Sequence, residues 1–264
     1  MGVIDIHTHA FPDALAPRAI KQLQTQASWK AIGDGTVRDL LRSMDRDNID
    51  ISVMCAVATR PSQAPAILEW CNEIKSERIV VFPSIHPKTS DLGGWLGRIA
   101  DEGFAGIKLH PMYQDFVADD EGIDEIYAAA ERLGLVVAIH CGKDIAYAPD
   151  DDRASPRRMR KVFDRHPSLK LICTHMGGWR DWDAAASELV GTGVYLETSF
   201  SLQELGRARS ADMIRAHGPQ RVLMGSDWPW QRQQEQVELI RALGLEPGEI
   251  DAILFSNAAR LLGL

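Results

Sequence analysis

Residues 3–9 read VIDIHTH, an apolar, β-branched run that breaks off in two histidines one residue apart. The run hardly alternates, which is how a strand buried on both faces reads. The same construction recurs seven times: ISVMCAVA (51–58), RIVVFPSIHP (78–87), GFAGIKLHP (103–111), LVVAIHCG (135–142), LKLICTHMGG (169–178), GVYLETSF (193–200) and RVLMGSDWPW (221–230). Between the runs lie stretches with helical period, among them TVRDLLRSMDRDN, APAILEWCNEIKSER, IDEIYAAAERLG, SPRRMRKVFDRHP, DWDAAASELVG, SADMIRAHG and QEQVELIRALG. Strands that alternate with helices are joined by crossovers and therefore run parallel. Eight such units in 264 residues predict an α/β chain folded as one (β/α)8 TIM barrel over residues 1–264. A doubly wound open sheet is the rival. The closing stretch EIDAILFSNAARLLGL predicts a C-terminal helical segment against the barrel's end or side. Residues 10–37 and 143–156 read as long connections after the first and fifth strands.

Composition narrows the function. The chain is 45% hydrophobic and 25% charged, as a folded protein is, and its net charge of -8 argues against a nucleic-acid surface. No apolar run approaches the roughly 18 residues of a membrane span. The first run is too short for a signal peptide, and Ile6 stands where a myristoylation motif needs Ser or Thr. Cys55, Cys71, Cys141 and Cys173 form no Cys-x-x-Cys pair and read as reduced, buried thiols. These features predict a cytoplasmic protein acting on a small molecule, without nucleic acid or membrane. A homodimer is the base-rate expectation for its assembly.

Barrel enzymes carry their active sites at the C-terminal ends of the strands. Here His7 and His9 end the first run, His86 the third, Lys108 and His110 the fourth, His140 the fifth, His175 the sixth and Asp227 the eighth. Only His166 and His217 fall at helix ends instead. Residues i and i+2 of a strand share a face, so His7 and His9 point together into the mouth, as do Lys108 and His110. By the same period Asp5 lies on the face of His7, either as a partner for its second ring nitrogen or as a core acid satisfied by backbone. Each residue alone is an ordinary polar strand end, and Asp227 alone could cap a turn. Together, imidazoles and a carboxylate from separate directions can surround a divalent cation.

In the order of its motifs, from DIHTHA through GIKLHP, AIHCG, THMGG and GSDWPW to NAARLLGL, the chain resembles the amidohydrolase superfamily, in its amidohydrolase-2 branch. That branch includes aminocarboxymuconate-semialdehyde decarboxylase, aromatic-acid decarboxylases and pyrone-dicarboxylate lactonase. The resemblance implies that His7, His9, His140 and Asp227 bind the metal and that His175 and Asp227 act as acid and base. It implies one divalent ion, zinc or alternatively manganese. A second ion, bridged by a carboxylated Lys108 and held by His175, is the binuclear variant; otherwise Lys108 and His110 serve substrate binding.

Two chemistries suit such a centre. The favoured expectation is a hydrolase, in which metal-bound hydroxide attacks an ester, lactone or amide of a small carboxylated or cyclic substrate. The alternative is a non-oxidative decarboxylase of a small aromatic or unsaturated acid. Arg60 could then hold the substrate acid, although a solvated loop arginine is the plainer reading. His86, Tyr113, Trp179 and Trp228 are candidates for the substrate pocket, with Trp182, Trp230, Gln114, Asp144 and Tyr147 as further loop residues. A barrel that only binds, or a Schiff-base lysine at Lys108, competes from other classes; the complete histidine and aspartate set weighs against both.

Overall fold

The computed structural model, described over residues 2–264, contains eight parallel strands: β1 (Ile4–Thr8), β2 (Ile51–Cys55), β3 (Ile79–Phe82), β4 (Gly106–Leu109), β5 (Val136–Ile139), β6 (Lys170–Cys173), β7 (Tyr195–Glu197) and β8 (Val222–Leu223). They form two arcs, β1-β2-β3 and β4 to β8 in sequence order. Backbone hydrogen bonds close both seams. Lys108 N donates to Pro83 O (2.9 Å) between the third and fourth strands, and Ile6 N donates to Met224 O (2.9 Å) between the eighth and the first. The sheet is thus a closed barrel, not a doubly wound open sheet.

The outer ring consists of α1 (Ala16–Ala27), α2 (Val37–Asp47), α3 (Ala64–Ile74), α4 (Leu92–Asp101), α5 (Asp124–Leu133), α6 (Pro156–Arg165), α7 (Trp182–Glu188), α8 (Leu202–Leu205), α9 (Arg207–His217) and α10 (Gln233–Arg241). Three of these, α1, α4 and the single turn α8, lie where the sequence pattern is silent. The connection 10–37 holds α1, which buries only Ala16 and Ile20 and so carries almost no apolar stripe. Helix α4 contains Gly93, Gly94 and Gly97, which interrupt its period, yet Leu92, Leu96 and Ile99 fall on one buried face. The chain ends in α11 (Pro247–Asp251), a π-helical turn (Ala252–Ser256) and α12 (Asn257–Leu262).

Interior positions are filled by Ile4, Ile6, Val53, Cys55, Phe82, Val136, Ala138, Ile172 and Leu223, closed off by Ala258, Ala259 and Leu261 of α12. The C-terminal segment therefore seals an end of the barrel. Asn257 Nδ2 donates to Val222 O (2.8 Å), at the N-terminal end of β8, so the sealed end is opposite the strand tips. Strand residues facing the other way, such as Ile107, Leu109, Val137, Ile139 and Leu171, pack in the outer cluster with Leu40, Met44 and Leu68 from the helices. All four cysteines are buried and free. Among the described residues no helix is long and apolar enough to cross a membrane.

The two histidines outside the strand tips have structural partners. His166 Nε2 lies 3.0 Å from Asp124 Oδ1. His217 Nε2 donates to Val194 O (3.1 Å), while Nδ1 accepts from Gly191 N (3.3 Å). Burial, helped by the nearby Arg221 and opposed by the bond to Val194 O, brings the His217 imidazole down to about 4. A depressed value means that the unfolded chain takes up this proton first, so His217 contributes stability above pH 6.5 that is lost as pH falls towards 4. Denaturant unfolding of the wild type should lose stability more steeply between pH 6.5 and 4.5 than that of His217→Gln; equal slopes would contradict this.

Candidate metal centre

A one-residue irregularity in β1 sets the geometry. Asp5 pairs with Ser52 but Thr8 with Met54, so β1 spends three residues where β2 spends two. Such a bulge breaks the alternation of side chains. Ile4 and Ile6 point into the barrel, and after the bulge His7 and His9 do so as well. Asp5 is left on the outer side, where its Oδ2 accepts from Ser226 Oγ (2.5 Å) of the loop after β8 and from Gln233 Nε2 (2.9 Å) of α10. The expectation that Asp5 shares the face of His7 is thereby corrected. Burial pushes the Asp5 carboxyl up to about 7 against these hydrogen bonds, and its work is to join β1 to the loop after β8.

The ring nitrogens of the pair have defined partners. His7 Nδ1 lies 3.0 Å from Glu197 Oε1, and His9 Nδ1 lies 2.8 Å from Cys55 O. A carboxylate and a carbonyl only accept, so both Nδ1 atoms carry the proton and both Nε2 atoms present lone pairs. Those two Nε2 atoms are 3.1 Å apart, and Asp227 Oδ1 lies 3.1 Å from that of His9 and 3.7 Å from that of His7. Asp227 Oδ1 is buried without a hydrogen-bond donor. Three acceptors facing one point are mutually repulsive until a cation sits among them. The donor set fits a divalent ion.

A second pair faces inward from β5 and β6. His175 Nδ1 donates to Ser199 Oγ (2.9 Å), and His140 Nε2 donates to Lys143 O (3.0 Å). Their remaining lone pairs, on His175 Nε2 and His140 Nδ1, are 3.1 Å apart. His140 thus pairs with His175 and does not join the close group of His7, His9 and Asp227. His175 owes its position to a turn in which it and Met176 adopt positive φ (58° and 53°), and Trp182 Nε1 holds its carbonyl at 3.0 Å. Lys108 is fully buried, with Nζ 2.9 Å from His7 Nε2. It points inward because it stands two residues after Gly106, where an added Cβ would strike Val136 and Phe82 of the interior.

Electrostatics keep the imidazoles neutral and the acids charged. Burial, then Lys108, lowers the His7 imidazole to about 4, and burial also lowers His110, His140 and His175. Burial, the largest influence, would raise Glu197, but His7, His175 and the Ser199 N–H together outweigh it and bring the carboxyl to about 2. Asp227, against the same burial, is held well below the carboxylate range by His7 and His9. Neutral imidazoles beside ionised carboxylates are the protonation state that a cation requires.

A family model described as amidohydrolase matches residues 4–264. The chain belongs to the amidohydrolase family. Its motifs place it in the amidohydrolase-2 branch. No curated relative matches the sequence. Among solved structures it is similar to 5-carboxyvanillate decarboxylase from Sphingomonas paucimobilis, at 17% identity and a TM-score of 0.74, covering 100% of this chain and 99% of that one. It is also similar to a dihydroxybenzoic acid decarboxylase from Polaromonas with bound manganese and 2-nitroresorcinol, at 16% identity, a TM-score of 0.73, and coverage of 100% and 97%. A third is 2,6-dihydroxybenzoate decarboxylase from Rhizobium, at 18%, 0.69, and coverage of 100% and 99%.

The mouth of this amidohydrolase sorts the remaining candidates. His110 stacks on His140 with ring centroids 4.2 Å apart, and its Nε2 lies 3.5 Å from Asp144 Oδ2. Tyr113 meets His110 edge-on at 4.4 Å and Tyr147 at 5.6 Å. Across the mouth Trp179 packs on Phe200, with its indole N–H buried and lacking an acceptor. Trp228 is 1% exposed and its ring lies against Gly33, so it packs beneath the first connection and offers the pocket no surface. His86 sits in a turn of its own, accepting from Lys88 N at 3.1 Å. Arg60 is exposed at the start of a short turn. Gln114 is fully buried; it accepts from His110 N and donates to Ala58 O, Ser84 Oγ and Ile85 O, stapling the loops after β2, β3 and β4.

Sequence reasoning passed over Glu197, Ser199 and Phe200. The run GVYLETSF carries an acid at a strand tip, and that was the available signal. Phe200 holds φ at 54°, uncommon for a bulky residue, and its ring lies 6.2 Å from that of His175 and 5.3 Å from that of Trp29. Phe200 N donates to Gln231 Oε1 (2.8 Å), which fixes the turn. Glycine accepts this conformation and alanine does not, so Phe200→Gly should be more stable than Phe200→Ala by about 1 kcal/mol. Chemical denaturation checks this, and equal stabilities of the two variants would contradict it.

Proposed function

We propose that the chain is a divalent-metal-dependent, non-oxidative decarboxylase of a small aromatic or unsaturated acid. The observation that carries the metal dependence is the convergence of lone pairs from His7 Nε2, His9 Nε2 and the orphaned Asp227 Oδ1. The decarboxylases named above, one of them with manganese, support the reaction type. His7, His9 and Asp227 would hold the ion, with His140 as a further imidazole, and manganese or zinc suits these ligands. When bound, the ion supplies positive charge that steadies the electron pair left on carbon as carbon dioxide departs. Lys108 pairs with an anionic group of the substrate inside the barrel. His175, anchored through Nδ1 on Ser199, takes up a proton from solvent at its Nε2 lone pair and delivers it to that carbon, returning to the neutral form. Trp179 and Phe200 on one side, and Tyr113 on the other, exclude water from a flat substrate.

Hydrolysis is the second reading. The facing lone pairs of His140 Nδ1 and His175 Nε2, next to the buried Lys108, favour it, because a carboxylated lysine and a second ion would satisfy all three. Incubating the manganese-loaded protein with carboxyl-labelled dihydroxybenzoates and with cyclic esters in 18O-water separates the two. Labelled carbon dioxide without 18O uptake is expected. Uptake of 18O into an acid, with no gas released, would install the hydrolase reading instead.

A further inference from the structure

We propose that Glu197 is a positioning residue that sets the proton tautomers of both halves of the centre at once. Its carboxylate is fully buried, and every oxygen contact is a received proton. Oε1 accepts from His7 Nδ1 (3.0 Å), His175 N (2.8 Å) and Ser199 Oγ (2.8 Å), and Oε2 accepts from Ser199 N (2.8 Å). The bond to His7 fixes Nδ1–H and turns the Nε2 lone pair towards His9 and Asp227. The bond from Ser199 Oγ–H leaves that hydroxyl oxygen free to accept from His175 Nδ1 (2.9 Å); with the Ser199 carbonyl 3.2 Å from the same nitrogen, it fixes Nδ1–H on His175 and turns the Nε2 lone pair towards His140. One acid, 190 residues from His7 in sequence, therefore defines which nitrogen faces inward on both imidazoles.

The room for this carboxylate is built into the fold. Gly225 stands beside it on the loop after β8, and a Cβ there would collide with Glu197 Oε2 and lie 3.2 Å from His7 Cβ. A neutral amide cannot replace the acid. Glutamine with its oxygen at the Oε1 site opposes an N–H to Ser199 N–H, and in the flipped orientation it opposes N–H to three donors. In the flipped orientation the clash at His7 is relieved by moving its proton to Nε2, which withdraws one lone pair from the cation position; the other orientation keeps a weaker, uncharged acceptor at His7 Nδ1, so the shift is partial.

The test uses the full chain, with 15N-histidine spectra of the metal-free protein and Mn2+ titration by calorimetry; the titration arm rests on the metal dependence proposed above. In the wild type His7 should be the Nδ1–H tautomer. Glu197→Gln should shift His7 towards Nε2–H and weaken Mn2+ binding about 10–100-fold, the usual scale for losing such an outer partner. Ser199→Ala should leave the His7 tautomer unchanged and loosen that of His175 only in part, because the backbone carbonyl of residue 199 still accepts from His175 Nδ1. Gly225→Ala, which displaces the acid without deleting it, serves if Glu197→Gln does not fold, and should reproduce its spectrum. A lower melting temperature with unchanged tautomers and Mn2+ affinity would overturn the proposal, leaving Glu197 a structural acid. If the wild type binds no Mn2+, the metal reading fails, and the tautomer shifts still decide the role of Glu197.

Discussion

His7→Ala combined with His9→Ala is expected to remove the metal and reduce turnover below detection. The two substitutions delete two of the three lone pairs that converge on one point and leave Asp227 Oδ1 as a lone acceptor. A bound ion contributes several kcal/mol to charge stabilisation, so its loss corresponds to a fall of about 10^3-fold or more in rate. The barrel should survive. Ile4 and Ile6 still fill the interior, and the principal new cost is at Glu197, a buried carboxylate that loses the His7 hydrogen bond, about 1–3 kcal/mol. Metal analysis, carbon dioxide release and far-UV circular dichroism on one preparation test this. A folded variant that keeps a full equivalent of metal would refute the centre at His7, His9 and Asp227.

Lys108→Met should cost almost as much activity and leave the fold intact. The lysine is fully buried, and among the described residues its Nζ has one hydrogen-bond partner, His7 Nε2. Burying a charge with so little compensation costs several kcal/mol, and a methionine of similar length fills the same space without that cost. The variant should thus be at least as stable as the wild type. Without the cation that pairs with the substrate acid, kcat/KM should fall about 100-fold or more, as when one partner of a buried charge pair is removed. One metal per chain should remain. A fall from two ions to one would assign Lys108 to a bridging carboxylate and favour hydrolysis over decarboxylation.

Much of the centre was legible because a (β/α)8 barrel gathers its strand tips at one end. Reading His7, His9, Lys108, His140, His175 and Asp227 as tips placed them in one region, whatever the true strand lengths. The period-2 rule failed where the ladder does. Asp5 follows it only if β1 has no bulge, and the extra residue between Asp5 and Thr8 exists only in the pairing with β2. Trp228 is buried beneath the first connection for a related reason: an aromatic after a strand faces the pocket or the packing beneath it according to loops that have no period. The helix α4 was hidden because its glycines dilute a stripe that only the packed barrel reveals.

The sequence by itself determined the barrel, through eight apolar runs separated by crossover-length helices, and the chemical identity of the groups at its mouth. The tertiary structure decided which nitrogen of each imidazole faces inward. That depends on acceptors brought from far along the chain, Glu197 Oε1 for His7 and Cys55 O for His9, and a hydrogen-bond partner leaves no local pattern to read. It also decided that Asp5 faces outward and Lys108 inward, because the direction of a side chain in a barrel is set by its register with the neighbouring strand.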